Sequence, residues 1–422
     1  MTSLTRSSLR RFSAKIINVK KRFQVNIFVI NSGSSSLKYQ LFKMPSSTPV
    51  CSGLVERIGQ EDSIIIHKIY KDSEEETFKF KIDIPNHEKA LNEVNSLLSN
   101  SDFGVIKDVA EIAVVGHRIV HGGALFSTTT VITSEVKEKM KETFQLAPLH
   151  NPSGYLGVEV AEKIFVKATQ MAVFDTAFHQ TMPAEAYRFA IPNFYYNDYN
   201  VRSYGFHGTS HKYVSEQAIS YLGTKDSKLI SIHLGNGCSM AAIKNGKSID
   251  TTMGFGPLSG LIMGTRSGDI DPTVIFYLVN TLGHDIEKVS NLLNKQSGML
   301  GLTGFSDMRD ITNAINEGNA EAKLAYDMYA YRIKKYIGAY AAILNGLNAI
   351  IFTAGVGEND ALIREMICSE MEYLGIEINK QENSIRKSGL REINTENSKV
   401  KVLVIPTNEE LEIANQCVEL LQ

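Results

Sequence analysis

The chain has no tryptophan, only four cysteines and only ten prolines among its 422 residues. Cys51, Cys238, Cys368 and Cys417 are widely scattered, which excludes a disulfide framework and a cysteine metal knuckle. They are expected to be reduced, mostly structural thiols of a cytosol-like compartment. No uncharged apolar run reaches the roughly 18 residues that a membrane span needs. Neither sign of charge is in surplus: 44 Lys and Arg against 46 Asp and Glu leave a net charge of -2. A protein held to nucleic acid by a global basic field is thereby excluded. With 31 glycines and 43% hydrophobic residues the chain is neither collagen-like nor wholly disordered. Its length suits two or three ordinary domains of a globular enzyme.

The charge balance fails only at the start. Residues 1–24 carry Arg6, Arg10, Arg11, Lys15, Lys20, Lys21 and Arg22, and the first acidic residue of the chain is Glu56. This basic extension reads as a disordered leader in front of a cytoplasmic protein, with organellar import as the minority alternative.

Strand patterns begin with the β-branched and aromatic run Val25–Ile30, which stops in Asn31-Ser32-Gly33-Ser34-Ser35-Ser36 and returns as Leu37–Phe42. Alternation continues through about 50–84, a helix is expected near 87–98, and Ile112–Val115 is a short strand ending before Arg118. Helices are expected over 134–145 and 154–166, and a strand over Met171–Phe174. The chain then repeats itself in kind. Leu229–Leu234 breaks into Gly235-Asn236-Gly237-Cys238-Ser239, Met240–Ile243 returns, and Asn245-Gly246 turns into a third strand at 248–252. Placing Gly33 on Gly237 gives an offset of 204 residues and suggests two related domains facing one another. Further on, helices are expected over 271–281, 319–347, 361–374 and from Glu409, with strands at 349–353 and 401–405. The aromatic stretch 194–204 reads as a packed crossing segment. Strands alternating with helices at this length specify α/β layers.

Three glycine-rich turns end strands, at 31–36, 235–239 and 355–357. Backbone without side chains lets N–H groups face phosphoryl oxygens. No turn closes in Gly-Lys-Ser/Thr, and none is a dinucleotide fingerprint. Each turn alone is compatible with a structural role; together they favour a nucleotide. Arg118, in Gly116-His117-Arg118-Ile119-Val120-His121-Gly122-Gly123, and Arg266, in Met263-Gly264-Thr265-Arg266-Ser267-Gly268-Asp269, are cations among small residues, suited to a carboxylate or a phosphoryl group. Asp175 stands where a strand stops, as a site residue or as an Asx turn. His207 and His211 have the spacing of a zinc pair but lack its glutamate, so contact with phosphate is the better use. Asn31 and Glu409 offer hard oxygens to magnesium, though Glu409 could equally be a first-turn helix charge.

These motifs resemble the acetate and propionate kinase family of the sugar kinase/heat-shock-70/actin superfamily. The likeness runs from about Val25 to the C-terminus. It is carried by Asn31–Lys38, Gly116–Gly123, Phe174-Asp175-Thr176-Ala177-Phe178-His179, Tyr204-Gly205-Phe206-His207-Gly208-Thr209-Ser210-His211 and Thr353-Ala354-Gly355-Val356-Gly357-Glu358-Asn359. It implies an α/β fold of two ribonuclease-H-like, actin-like ATPase domains in tandem with an interdomain active-site cleft. The expected domains are 25–175 completed by the helix 409–422, and 176–408, which binds nucleotide and dimerises.

The implied reaction is reversible, Mg2+-dependent in-line transfer of the ATP γ-phosphoryl group to acetate, giving acetyl phosphate and ADP, with Mn2+ as a possible substitute for Mg2+. Asn31 and Glu409 would organise the metal. Arg118 would hold the carboxylate, with Asp175 orienting, and Arg266 and His207 would face the phosphoryl group. Lys38, the run His233, Leu234, Gly235, Asn236 and Gly237, the triplet Asp307, Met308 and Arg309, and the run Gly355, Val356, Gly357, Glu358 and Asn359 would contact the nucleotide. Val120, Leu149 and Pro257 would form the pocket for the methyl group. The family likeness further implies a homodimer, with no nucleic acid or membrane partner. Propionate as the acceptor, and a non-catalytic ATP-binding switch on the same fold, are the alternatives.

Overall fold

The computed structural model describes residues 24–71 and 74–422. The basic leader and its import alternative lie outside the described residues. The chain forms two compact units, one of the residues up to Phe174 with Glu409–Gln422, the other of Asp175–Asn408. Among the described residues no helix is long and apolar enough to cross a membrane.

The first unit holds a sheet of β1 (Val25–Ser32), β2 (Ser36–Met44), β3 (Cys51–Glu56), β4 (Ile64–Lys71), β5 (Glu74–Lys81), β6 (Ile112–Ile119), β7 (Thr130–Val131) and β8 (Thr169–Phe174). Its order is β5-β4-β3-β2-β1-β6-β8-β7, antiparallel from β5 to β1 and parallel from β1 through β6 to β8. Ile27, Phe28, Val29 and Ile30 of β1 are all buried, so this central strand is covered on both faces. The edge strand β5 begins Glu74-Glu75-Glu76 and is largely exposed, a charged edge that discourages further pairing. Helix Glu409–Leu421 packs on β1, β2 and β6. It comes so close that a Cβ at Gly116 would lie 2.9 Å from Ile413 and 3.0 Å from Cys417.

The second unit holds β9 (Lys228–Leu234), β10 (Cys238–Lys244), β11 (Lys247–Thr251), β12 (Ala349–Thr353), β13 (Arg391–Glu392) and β14 (Lys401–Val404), in the order β11-β10-β9-β12-β14-β13. Asn245 and Gly246 turn β10 into β11 with φ of 53° and 76°, the left-handed pair that a two-residue hairpin requires. Helices Gly208–Leu222 and Ala320–Leu344 pack on this sheet. Both units share one strand plan: β3-β2-β1-β6-β8 repeats as β11-β10-β9-β12-β14, three antiparallel strands followed by two parallel ones. This is the ribonuclease-H-like arrangement, present twice.

Four details differ from the sequence reading. β6 runs through Gly116-His117-Arg118, so Arg118 lies inside a strand; parallel neighbours β1 and β8 keep the ladder going past the glycine. The last hairpin pairs are Ser32–Leu37 and Leu234–Cys238, so the first turn has one residue more than the second and the 204-residue offset does not hold. The helix expected over 361–374 stops at Cys368, and Glu370 adopts φ of 55° before a short 3-10 turn at Glu372–Leu374. The stretch 194–204 is not a packed crossing throughout: Phe194, Tyr195 and Tyr199 are exposed, while Arg202 and Tyr204 are buried, with the Arg202 guanidinium 3.6 Å from the Tyr187 ring centre.

Candidate active site

In the first unit, parallel pairing of β1 with β6 puts Ile30 opposite His117, and the next residues along are Asn31 and Arg118. Arg118 Nη1 donates to Asn31 Oδ1 at 3.4 Å, and its Nε lies 3.9 Å from Glu409 Oε2. Lys38, opposite Asn31 on β2, places Nζ 2.6 Å from Glu410 Oε1. Glu409 and Glu410 both occupy the first turn of the last helix, where its dipole favours carboxylates. The sequence thus brings Asn31, Lys38, Arg118 and Glu409 to one end of this sheet from three separate parts of the chain. His87 holds the adjacent turn, its Nε2 2.7 Å from the Gly33 carbonyl.

The donor set decides whether a metal suits this place. Among the described residues no group of three or more His, Cys, Asp or Glu side chains could cage an ion. Asn31 and Glu409 are hard oxygen donors flanking one guanidinium, which fits an ion that keeps most of its waters and takes phosphate oxygens as ligands.

In the second unit, Asp175 follows β8 and is 1% exposed. Thr209 Oγ1 donates to its Oδ1 at 2.9 Å, and the Gly208 N–H donates to its backbone carbonyl at 2.9 Å. Asp175 therefore ties down the start of helix Gly208–Leu222, directly after His207. His207 has φ of 56°, a left-handed conformation that costs a non-glycine residue energy and is usually retained at functional positions. Its Nδ1 lies 2.9 Å from Ser239 Oγ, and its ring stacks on His233 with centroids 4.3 Å apart.

Gly237 lets two groups approach the turn together. A Cβ there would lie 3.3 Å from the His207 ring and 3.6 Å from Arg266 Nη2. Arg266 Nη1 donates to the Pro257 carbonyl at 2.7 Å, and burial lowers the guanidinium pKa below its ordinary value. The same turn opens on a cavity of about 910 Å³ within the second unit. Gly235, Asn236, Asp307, Met308, Arg309, Gly355, Val356 and Asn359 all line it. Arg309 Nη2 lies 2.6 Å from Asp307 Oδ2, and this hydrogen bond does most to hold the Asp307 carboxyl down at about 2. Ala354, with φ of 64°, turns the chain from β12 into the short helix Ala354–Asn359, so the third glycine segment is a helical turn rather than an open loop.

The other expected contact residues do not line this cavity. Leu234 is core, and the Gly357 carbonyl faces inward to Arg364. Glu358 Oε1 accepts from the Thr407 N–H at 3.2 Å. Val120 is half-buried and Leu149 is 68% exposed, both in the first unit, whereas Pro257 belongs to the second. Sequence reading missed Arg364, which is 1% exposed and donates to the Gly357 carbonyl, Asn383 Oδ1 and the Asn383 carbonyl, each at 2.8 Å. It lies inside an amphipathic helix without a glycine neighbour, so nothing local marked it. Ser239 was visible within a motif but had no assigned role, and His211 was weighed only as half of a zinc pair.

Residues 26–415 match the profile described as the acetokinase family. The acetate kinase of Flavobacterium johnsoniae is 60% identical over 398 residues, covering 94% of this chain and 100% of that one. Among solved structures, that of Porphyromonas gingivalis acetate kinase superposes with a TM-score of 0.89 at 45% identity, covering 94% and 100% of the two chains. A propionate kinase from Francisella tularensis follows at 0.85 and 41%, covering 93% and 98%.

Proposed function

Because the chain belongs to the acetokinase family, we propose that its residues carry out the family reaction as follows. The protein is a phosphotransferase that moves a phosphoryl group from Mg-ATP to acetate, forming acetyl phosphate and ADP. Propionate as the principal acceptor has less support, since the solved propionate kinase is 41% identical against 60% for the Flavobacterium acetate kinase. The convergence of His207 and Arg266 on Gly237, in the same turn that lines the 910 Å³ cavity, carries the assignment of roles.

An acetate oxygen is ionised at neutral pH, so the reaction needs no strong general base. It needs alignment, and positive potential around a phosphoryl group whose charge spreads over its equatorial oxygens. Arg118 binds the acetate carboxylate with its planar fork, and Val120, Leu149 and Pro257 meet the methyl group. Arg266 and His207 donate to the transferring phosphoryl group. Asp175 acts by fixing the turn that carries His207, consistent with its bonds to Gly208 and Thr209. Gly235 to Gly237, Asp307 to Arg309 and Gly355 to Asn359 hold the nucleotide, and Lys38 reaches its phosphates. Asn31 and Glu409 would hold magnesium, or manganese in its place. When bound, that ion would neutralise phosphate charge.

The chain is further proposed to act as a homodimer through the second unit. Helix Pro272–Asn280 has no buried residue although its sequence is PTVIFYLVN, and a second copy would cover it. Trapping acyl phosphate with hydroxylamine tests the substrate assignment. Mg-ATP with acetate is expected to give a kcat/KM at least about tenfold above that with propionate, within what one methylene can supply. A preference for propionate would reverse the assignment of acceptor, and no hydroxamate with either acid would remove the kinase reading.

A further inference from the structure

Behind His207 lies a continuous chain of serines and histidines that the proposed reaction does not use directly. His207 Nδ1 is 2.9 Å from Ser239 Oγ, the same oxygen is 2.8 Å from His211 Nε2, and His211 Nδ1 is 2.8 Å from Ser231 Oγ. Ser231, Ser239 and His211 are all 0% exposed. A parallel set supports the ring stacked on His207: His233 Nδ1 is 2.8 Å from Ser210 Oγ, itself 2.8 Å from Thr407 Oγ1. Each stacked imidazole thus has its Nδ1 on a buried hydroxyl.

The chemistry of these groups limits how their hydrogens can be arranged. Burial, and then His179 and His233, drive the His211 pKa well below its usual value, so its imidazole is neutral with one N–H and one lone pair. Ser239 has a single O–H to share between two rings. Two full orders satisfy every nitrogen of the chain. In one, Ser231 O–H donates to His211 Nδ1, His211 Nε2–H donates to Ser239, and Ser239 O–H donates to His207 Nδ1. Neutral His207 then carries its proton on Nε2. In the other order every bond reverses, and neutral His207 turns a lone pair on Nε2 toward its ligand. An anionic phosphoryl oxygen is repelled by that lone pair and attracted by Nε2–H. Arg266, whose Nη2 approaches the same glycine as the His207 ring, opposes a second positive charge there.

We propose that Ser239 and His211 are positioning residues that hold His207 as the neutral Nε2–H tautomer, making it an uncharged hydrogen-bond donor to the transferring phosphoryl group. The inference rests on the kinase reading above, because the anionic phosphoryl oxygen is what selects between the two orders. His207 then needs no proton uptake to act. Its donor hydrogen is aimed before the substrate arrives, which is how preorganised donors lower a barrier.

The direct test is long-range 1H–15N correlation of 15N-histidine-labelled protein with Mg-ATP at pH 8.5, with the His207 signals identified by their loss in His207→Asn. The expected spectrum is neutral imidazole protonated on Nε2. An Nδ1–H tautomer, or an imidazolium at that pH, overturns the proposal. In Ser239→Ala the His207 signals are expected to become a mixture of tautomers. Its kcat should fall about 10- to 100-fold, the usual cost of removing a supporting hydrogen bond, while KM for acetate and ATP stays within about twofold. A KM effect without a kcat effect, or an unchanged tautomer, contradicts it. Should Ser239→Ala fail to fold, Ser231→Ala at the far end of the chain is expected to shift the tautomer in the same direction, and an unaltered spectrum counts against the proposal. Wild-type protein with the expected tautomer but no acyl phosphate would sink the kinase reading and leave the chain intact.

Discussion

Arg364 shows how one side chain can shape a site without standing at its centre. A buried guanidinium is costly unless its donors are satisfied, and here three oxygens satisfy it, one from the 354–359 turn and two from Asn383. Burial lowers its pKa to about 10, which still leaves it charged near neutrality. Arg364→Met keeps much of the volume and strands those oxygens. Chemical denaturation is expected to show a loss of about 3 kcal/mol, with KM for ATP raised about tenfold; a loss below about 1 kcal/mol would contradict the role given to this cation. Arg266→Lys is expected to be nearly as inactive as Arg266→Ala, with kcat down about 100-fold or more, because an ammonium cannot keep the Pro257 carbonyl and reach a phosphoryl oxygen in one plane. Restored activity in the lysine variant would show that charge alone suffices. Arg266 was legible in the sequence because glycines surround it. Arg364 was not, since its partners at Gly357 and Asn383 are near it only in the fold.

At the scale of elements, two glycines show why a turn's neighbours matter more than its composition. A Cβ at Gly208 would collide with the Asp175 backbone oxygen, which cannot move without shifting the helix start and His207 with it. A Cβ at Gly264 would collide with the side-chain Oδ1 of Asn236, which can swing away. Gly208→Ala is therefore expected to lower both the thermal midpoint and kcat. Gly264→Ala should leave the thermal midpoint nearly unchanged and raise KM for ATP, since Asn236 lines the cavity. The reverse pattern in melting and steady-state kinetics would contradict the packing described. Periodicity located nearly every strand, because β1 and β9 are apolar runs bounded by glycine. It placed Arg118 after β6 instead of within it, because ladder bonds to two parallel neighbours carry a strand past a glycine that looks like its end. Likewise the extra residue in the first turn was invisible to a motif match that had no register to count against.

For the whole molecule, buried histidines predominate in acid sensitivity. Burial lowers His67, His117 and His179 to about 4, and holds His211 well below its ordinary value. Each has a folded pKa below its unfolded value of roughly 6.5, so between those values the unfolded chain binds more protons and stability falls as pH falls. Asp250, raised to about 6 by burial, works the other way, since it takes its proton earlier in the fold. These four histidines outnumber the two carboxyls that burial raises, Asp250 and Glu358, so the net is a loss, and the denaturant midpoint is expected to drop steadily from pH 6.5 to 4. A flat or rising midpoint across that window would mean that these rings are not buried neutral in solution. The two-fold repetition of the sheet was legible from a strand, a glycine turn and a returning strand occurring twice, whereas the serine support behind His207 needed the start of helix Gly208–Leu222 brought against the β9–β10 hairpin.

The chain moves a phosphoryl group between ATP and a small carboxylate. Phosphorus NMR of purified protein with Mg-ATP and acetate tests it most directly, by following every phosphorus species at once. The expected spectra show acetyl phosphate and ADP growing together, and ATP returning when acetyl phosphate and ADP are supplied instead. ADP accompanied only by inorganic phosphate, with no acyl phosphate in either direction, would contradict the claim.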